Sequence, residues 1–405
     1  MKRVIFLNRF FFPDHSATSQ ILSDLAFHLA ASGTETHVVA SRQLYDEPAE
    51  RLPSEETVRG VQIHRVSTSQ FGRSRLWGRS IDYLSYYYSS WRLLVALTRR
   101  DDILVAMTDP PLVSIVGMRA ARRQNAHLVN WLQDVYPEVA IQLNVGLLKS
   151  PVGRIISILR DQSLQAAKAN VVVGQLMATT IIARNMDPHR VHVIPNWADD
   201  EEISPLPPMD NPLRRQWQLE DKFVVGYSGN LGRPHEFDTI LAASIHLKDH
   251  PRIVFACIGG GHSFDDLANR VVECGLRDLF RFFPYQDRIL LKYSLGVADV
   301  HWISLKPQLE GLIVPSKLYG IAAAGRPIIA ITAKDGEIAQ LIERHDCGIV
   351  IAPGDAKALA DALSHLSADA ARVAEMGQRA RAMLDAHFSR RQAFERWRSV
   401  LEAVG

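Results

Sequence analysis

Short apolar runs alternate with amphipathic stretches of helical period along nearly all of this 405-residue chain, and no other feature limits its fold so strongly. The first half predicts strands near residues 3–7, 37–40, 61–66, 103–107, 127–132, 170–173 and 191–194, with helices near 17–32, 81–99, 112–124, 152–168 and 176–184. A strand that returns to its sheet through a helix pairs in parallel, and helices then cover both faces of the sheet. At NWADDEEISPLPP, residues 196–208, the composition turns acidic and proline-rich, which predicts a linker. Beyond it the pattern restarts, with strands near 223–227, 253–258, 279–283, 300–303, 327–331 and 348–351. The expected fold class is α/β, with two doubly wound, Rossmann-like parallel-sheet domains in tandem at 1–203 and 204–387. Residues 388–405 are helical, carry no strand signal and are expected to cross back to the first domain.

With 47% hydrophobic and 22% charged residues the chain can bury large cores, and a formal net charge of +2 argues against nucleic acid as a partner. Cys257, Cys274 and Cys347 show no metal-ligand spacing and fit buried thiols in a reducing compartment. The opening MKRVIFLNRFFFPDHS is interrupted at Asn8 and Arg9 and ends its apolar stretch at Pro13 without a small-residue cleavage site, so it reads as a strand. No apolar run approaches the roughly 20 residues that span a bilayer. The expected location is the cytosol, free or attached to a membrane surface. Residues 73–100, RSRLWGRSIDYLSYYYSSWRLLVALTRR, mix arginines with Trp77, Tyr83, Tyr86, Tyr87, Tyr88 and Trp91 against a single acid, Asp82. That stretch suits either the headgroup layer of an anionic leaflet or a core helix whose tyrosines pack inward.

Chemistry concentrates at the predicted β-α turns. In EGLIVPSKLYGIAAAGRPIIAI, residues 310–331, Pro315 and Ser316 predict a hydroxyl-capped helix start and Gly325 its left-handed stop. Free N–H groups at the start, beside Glu310 and Lys317, suit a phosphate, although an ordinary capped helix has the same residues. In GNLGRPHEFD, Gly229 and Gly232 let a ligand approach the backbone, and Arg233 can bind a diphosphate or simply sit in solvent. Gly259, Gly260 and Gly261 follow another strand, and Tyr285 and Gln286 in RFFPYQDR stand where a base can stack or be read. The first turn, RFFFPDHSATSQ, has no glycine and the chain has no GxxxxGK[ST], which argues against a dinucleotide oxidoreductase and a P-loop ATPase. His15 in that turn and Asp134 in WLQDVYPE are candidates for a base toward an acceptor hydroxyl and its orienting carboxylate, with structural roles as the alternative.

The order VVGYSGNLG, IGGGHS, FFPYQ and ADVHWISLKPQLEGLIVPSKLYGIAAAGRPIIAI resembles the donor-binding domain of GT-B glycosyltransferases. With FFPDHSATSQILSDLAFHLAASGTETHVVAS, WLQDVYPE and VIPNWAD, nearly the whole chain is similar to family 4 retaining enzymes of the WbuB-like group, which build cell-surface polysaccharides. The resemblance implies a nucleotide diphosphate sugar as donor substrate, no cofactor, and a lipid-linked or glycan acceptor at the cytosolic membrane face. It places the sugar and distal phosphate against Glu310, Gly311, Leu312 and Ile313, with Ser316, Gly229, Asn230, Gly232, Gly259, Gly260, Gly261, Tyr285 and Gln286 completing the donor site. Lys317 and Arg233 would neutralise the leaving diphosphate, His15 would contact the acceptor or the donor sugar, and Ser16 and Asp134 would face the acceptor.

Two departures stand out. The wider family carries a second glutamate where this chain has Gly320, and a basic pair where it has Asn230 and His235. A nucleotide-sugar 2-epimerase and a non-catalytic nucleotide-sugar binding subunit are the alternatives of the same architecture. No Asp-x-Asp occurs in the sequence, so no metal is expected. Chelation with EDTA is accordingly expected to leave sugar transfer nearly unchanged, and a strict requirement for Mg²⁺ or Mn²⁺ would contradict the expectation.

Overall fold

The computed structural model describes residues 2–45, 51–71, 76–145 and 151–405. The chain divides into two compact units, one formed by Met1–Pro195 with Ala393–Gly405 and the other by Asn196–Gln392.

In the first unit, strands β1 (Val4–Leu7), β2 (Thr36–Ser41), β3 (Glu55–Val58), β4 (Val61–Val66), β5 (Ile103–Ala106), β6 (His127–Leu132), β7 (Ala169–Val172) and β8 (Val191–Val193) form one sheet in the order β3-β4-β2-β1-β5-β6-β7-β8. Every described pair is parallel except β3 with β4. The sequence reading has no β3, because half-exposed edge residues make no apolar run. Its only signal is the tight turn of Arg59 and Gly60, both at positive φ.

The second unit holds β9 (Phe223–Asn230), β10 (Ile253–Gly260), β11 (Phe280–Phe283), β12 (Val300–Ser304), β13 (Ile328–Ile331) and β14 (Gly348–Ile351), all parallel, in the order β11-β10-β9-β12-β13-β14. Alternate residues of one strand enter different cores. Val225, Tyr227, Phe255 and Cys257 pack on one face, Val224, Val254, Ala256 and Ile258 on the other, so helices cover both sides.

The unit boundaries fall at 195/196 and 392/393 instead of 203/204 and 387/388. The acidic segment is packed rather than loose: Ile203 lies in a core of the second unit, and Asp199 accepts from Arg288 at 3.2 Å and Arg390 at 3.0 Å. Cys257 and Cys347 are buried, whereas Cys274, just after the helix Phe264–Glu273, is exposed.

The terminal helix Arg390–Val404 re-enters the first unit through its apolar stripe. Trp397 is fully buried with its ring 4.5 Å from that of Trp131 on β6, and Phe394 stacks on His28 at 4.3 Å. Trp397→Ala removes one of the largest side chains of that core and should cost about 3–5 kcal/mol. Urea unfolding followed by circular dichroism measures the loss, and a wild-type midpoint would show that the terminal helix contributes little.

Candidate active site

A doubly wound sheet opens a crevice where its strand order reverses, because the loops on either side leave toward opposite faces. In the second unit that switch point lies between β9 and β12. At its carboxyl edge the structure assembles His235, Lys317, Ser304 and Tyr227. His235 Nδ1 lies 2.7 Å from the Ser304 carbonyl oxygen, which requires Nδ1 to carry the proton. Its Nε2 is then a lone-pair acceptor, and the Lys317 ammonium donates to it at 3.1 Å. The same ammonium stands 5.2 Å from the Tyr227 ring centroid, and Tyr227 donates its hydroxyl to the Asn230 carbonyl at 2.8 Å.

The electrostatics follow from enclosure. Burial, and then the adjacent Lys317 charge, push the His235 pKa down to about 3, so this imidazole is neutral throughout the physiological range. Burial pulls Lys317 down to about 8. Part of the Lys317 surface stays open, and among the described residues no carboxylate pairs with it. An ammonium held this way is poorly compensated by protein and well placed for an anion.

Glycines make room for it. Gly229 has φ +120°, and a Cβ there would stand 3.1 Å from Lys317 Cε, so the lysine stem crosses the chain only where a side chain is missing. Gly259 beside it lets β9 and β10 come together, since its Cβ would fall 2.3 Å from the Gly229 oxygen. Tyr285, 56% exposed, approaches Gly260, and Asn230 Oδ1 lies against Gly261. These residues, with Lys317, form one continuous edge. Gln286 is half-buried and turns back to the Pro284 carbonyl, and Arg233 is exposed on the loop past Gly232, with no ion pair among the described residues.

The 310–317 loop differs from its expected form. The helix that follows is short, Lys317–Ala323, and the Ser316 side chain makes no capping bond. Gly311 takes φ +71°, Leu312 is buried and Ile313 is half-buried. Glu310 points inward: Thr332 Oγ1 donates to one oxygen at 2.5 Å, and the Glu337 N–H, at the start of the helix Glu337–His345, donates to the other at 3.3 Å. Desolvation raises its pKa against those bonds. Its carboxylate ties the loop to a strand end and a helix start. Gly320 lies within that short helix, and a Cβ there would meet Leu295 only at 3.4 Å.

The candidates of the first unit lie at the other sheet's carboxyl edge. His15 is exposed, Ser16 precedes the helix Ala17–Ala31 without a side-chain cap, and the buried Asp14 shapes the turn by accepting from the Ser16 N–H at 2.8 Å and from the Tyr45 N–H. Asp134 keeps solvent access, yet crowding by protein and then the charge of Asp109 push it up to about 6. Asp14, His235, Ser304 and Thr332 are partners that spacing alone does not reveal, since each is brought into place by a different strand end. Among the described residues no cluster of three or more His, Cys, Asp or Glu side chains is placed to hold a metal.

Comparison with known proteins adds the following. Residues 17–197 match the family model "Glycosyl transferase 4-like domain" and residues 210–383 match "Glycosyl transferases group 1". The chain is 28% identical over 290 residues to the probable glycosyltransferase WbjE of Pseudomonas aeruginosa, covering 71% of this chain and 72% of the relative. It is 26% identical over 346 residues to the putative colanic acid biosynthesis glycosyl transferase WcaI of Escherichia coli (strain K12), covering 82% and 83%. In structure it is similar to Anabaena Alr3699/HepE, crystallised in complex with UDP, with a TM-score of 0.73 at 16% identity over 99% of this chain and 100% of that one.

Glu310→Ala should lower folding stability by about 1–3 kcal/mol, the cost of leaving a buried hydroxyl and a helix N–H unpaired. Denaturant titration checks it, and unchanged stability would return Glu310 to a purely ligand-facing role.

Proposed function

We propose that this chain, which belongs to the GT-B glycosyltransferases and carries the 4-like and group 1 domains, moves a sugar from a nucleotide diphosphate donor to a lipid-linked glycan acceptor in cell-surface polysaccharide synthesis. The observation that carries the reading is the Lys317 ammonium, held by a neutral histidine at the β9/β12 switch point without a carboxylate partner among the described residues. A leaving diphosphate develops its charge in the transition state, and a fixed cation there stabilises it at that moment. The structures of HepE with UDP and with UDP-glucose support a donor of this class, and WcaI, named for colanic acid biosynthesis, supports the polysaccharide.

In this reading Gly229, Asn230, Gly259, Gly260 and Gly261 admit the diphosphate and ribose to backbone groups, and Tyr285 lies beside the base. Arg233, exposed on its loop, adds a second cation. Transfer is retaining and needs no metal, a reading supported by the family resemblance and by a sequence without Asp-x-Asp. No strong base is then required, which leaves His15, Ser16 and Asp134 as contacts to the acceptor.

The membrane part of the reading rests on the helix Leu76–Leu97. Tyr86 and Leu94 are buried in the first unit's core, so one face of the helix packs inward. The other face carries Ile81, Leu84 and Tyr88 at 44%, 64% and 60% exposure, with Arg92 over the Tyr88 ring at 5.9 Å. The inward face is that of a core helix, and the exposed apolar side chains of the outward face support the membrane reading. Arg73 and Arg75 lie outside the described residues, as does the Arg79 side chain. No described helix is long and apolar enough to cross a membrane. An interfacial helix of this kind suits attachment to an anionic cytosolic leaflet.

Lys317→Ala should lower turnover about 100-fold or more, as losing a transition-state donor does. For the free enzyme, kcat/KM should fall as pH rises through about 8, where the Lys317 ammonium loses its proton. Lys317→Arg, always charged, should abolish that alkaline limb, and a limb that persists would assign it to another group. Leu84→Glu with Tyr88→Glu should release the folded chain from anionic vesicles in co-sedimentation. Equal sedimentation of wild type and variant would leave the membrane without a role for this face.

A further inference from the structure

Six arginines of the described chain are buried: Arg3, Arg9, Arg65, Arg160, Arg214 and Arg326. Four pair with carboxylates, Arg3 with Asp102, Arg65 with Glu56, Arg160 with Glu138 and Arg214 with Asp299. Arg326 is clamped by the Leu206 and Gly296 carbonyls, each at 2.7 Å. Among the described residues Arg9 alone has neither. It is 6% exposed, and among the described residues its Nη2 donates only to Gln43 Oε1 at 3.3 Å and its Nε has no acceptor. Its remaining neighbours are rings, Phe10 at 5.2 Å and Tyr83 at 5.3 Å from the guanidinium carbon.

The balance of energies is uneven. Cation–π contacts contribute about 0.5–2 kcal/mol each, whereas withdrawing an ion from water costs several kcal/mol. A structural arginine would recover the difference from a carboxylate, as the other four do. Arg9 sits in the loop past β1, and its backbone N–H donates to the Asp109 carbonyl, past β5, at 2.7 Å. That is the switch point of the first sheet, where β1 lies between β2 and β5, and a ligand is expected at such a point. Guanidinium is the side chain best shaped to take two oxygens of one anion.

We propose that Arg9 reads the anionic group of the acceptor, and that the acceptor is a sugar bearing an oxyanion, phosphate or carboxylate. This rests on the transferase reading above and names the class of its acceptor. Asp109 and Asp134 nearby suit sugar hydroxyls, and the half-buried Tyr83 offers a ring edge beside the cation.

Titration calorimetry of the full chain, with UDP added to occupy the donor site, tests the proposal using glucose 1-phosphate, glucuronate and glucose as probes. At least one anionic probe should bind tenfold or more tightly than glucose, and which one does identifies the oxyanion. Arg9→Gln should erase that preference while the thermal shift given by UDP stays at the wild-type value. Arg9→Lys, which keeps the charge but not the fork, should lose at least threefold and carries the test if Arg9→Gln does not fold. Equal binding of all three probes to wild type, or an unchanged preference in the variants, would overturn the proposal. Failure of UDP to bind the wild type would sink the donor reading alone, since the Arg9 comparison stands without nucleotide.

Discussion

Parallel pairing sends the carboxyl ends of all strands to one edge, and each chain must then cross a helix before it can return. Both units obey this constraint, apart from the β3 hairpin edge of the first. The loops that hold the candidate residues are thereby collected along one rim of each sheet. Where the winding reverses, beside β1 in the first unit and beside β9 in the second, neighbouring loops diverge and expose backbone groups. Arg9 and Lys317, two enclosed cations without a carboxylate partner among the described residues, stand at those two places.

At the second switch point a single proton assignment organises the site. Because the Ser304 carbonyl takes the Nδ1 proton of His235, the imidazole offers Lys317 a lone pair instead of a competing charge. A carboxylate in the same position would hold the ammonium more strongly and would also compete with an incoming phosphate. The neutral acceptor fixes direction without neutralising charge. The cost of enclosing that charge appears in the lowered pKa of Lys317, and in the proposed reading a bound diphosphate would offset it.

Much of this was legible in the sequence. Buried strands such as Val4–Leu7 and Ile328–Ile331 are apolar throughout, and glycines after strands marked the rim of the second sheet. Edge strand β3 was not legible, because a half-exposed strand has the composition of a loop. Nor was the inward role of Glu310, whose partners Thr332 and Glu337 lie 22 and 27 residues away and are brought close by the pairing of β12 with β13. His235 appeared only as a departure from a family pattern, since a histidine in a turn says nothing of the carbonyl 69 residues on that fixes its tautomer. Arg9 showed itself as a break in an apolar run, but its lack of a carboxylate partner among the described residues is a fact about neighbours and not about sequence.

The central claim is that the diphosphate of the donor lies against Lys317 at the β9/β12 switch point. A crystal structure of the full chain with UDP or GDP bound tests it most directly. The account predicts a phosphate oxygen within hydrogen-bond distance, about 2.7–3.2 Å, of Lys317 Nζ. A diphosphate bound elsewhere, with Lys317 still directed only at His235, would contradict it.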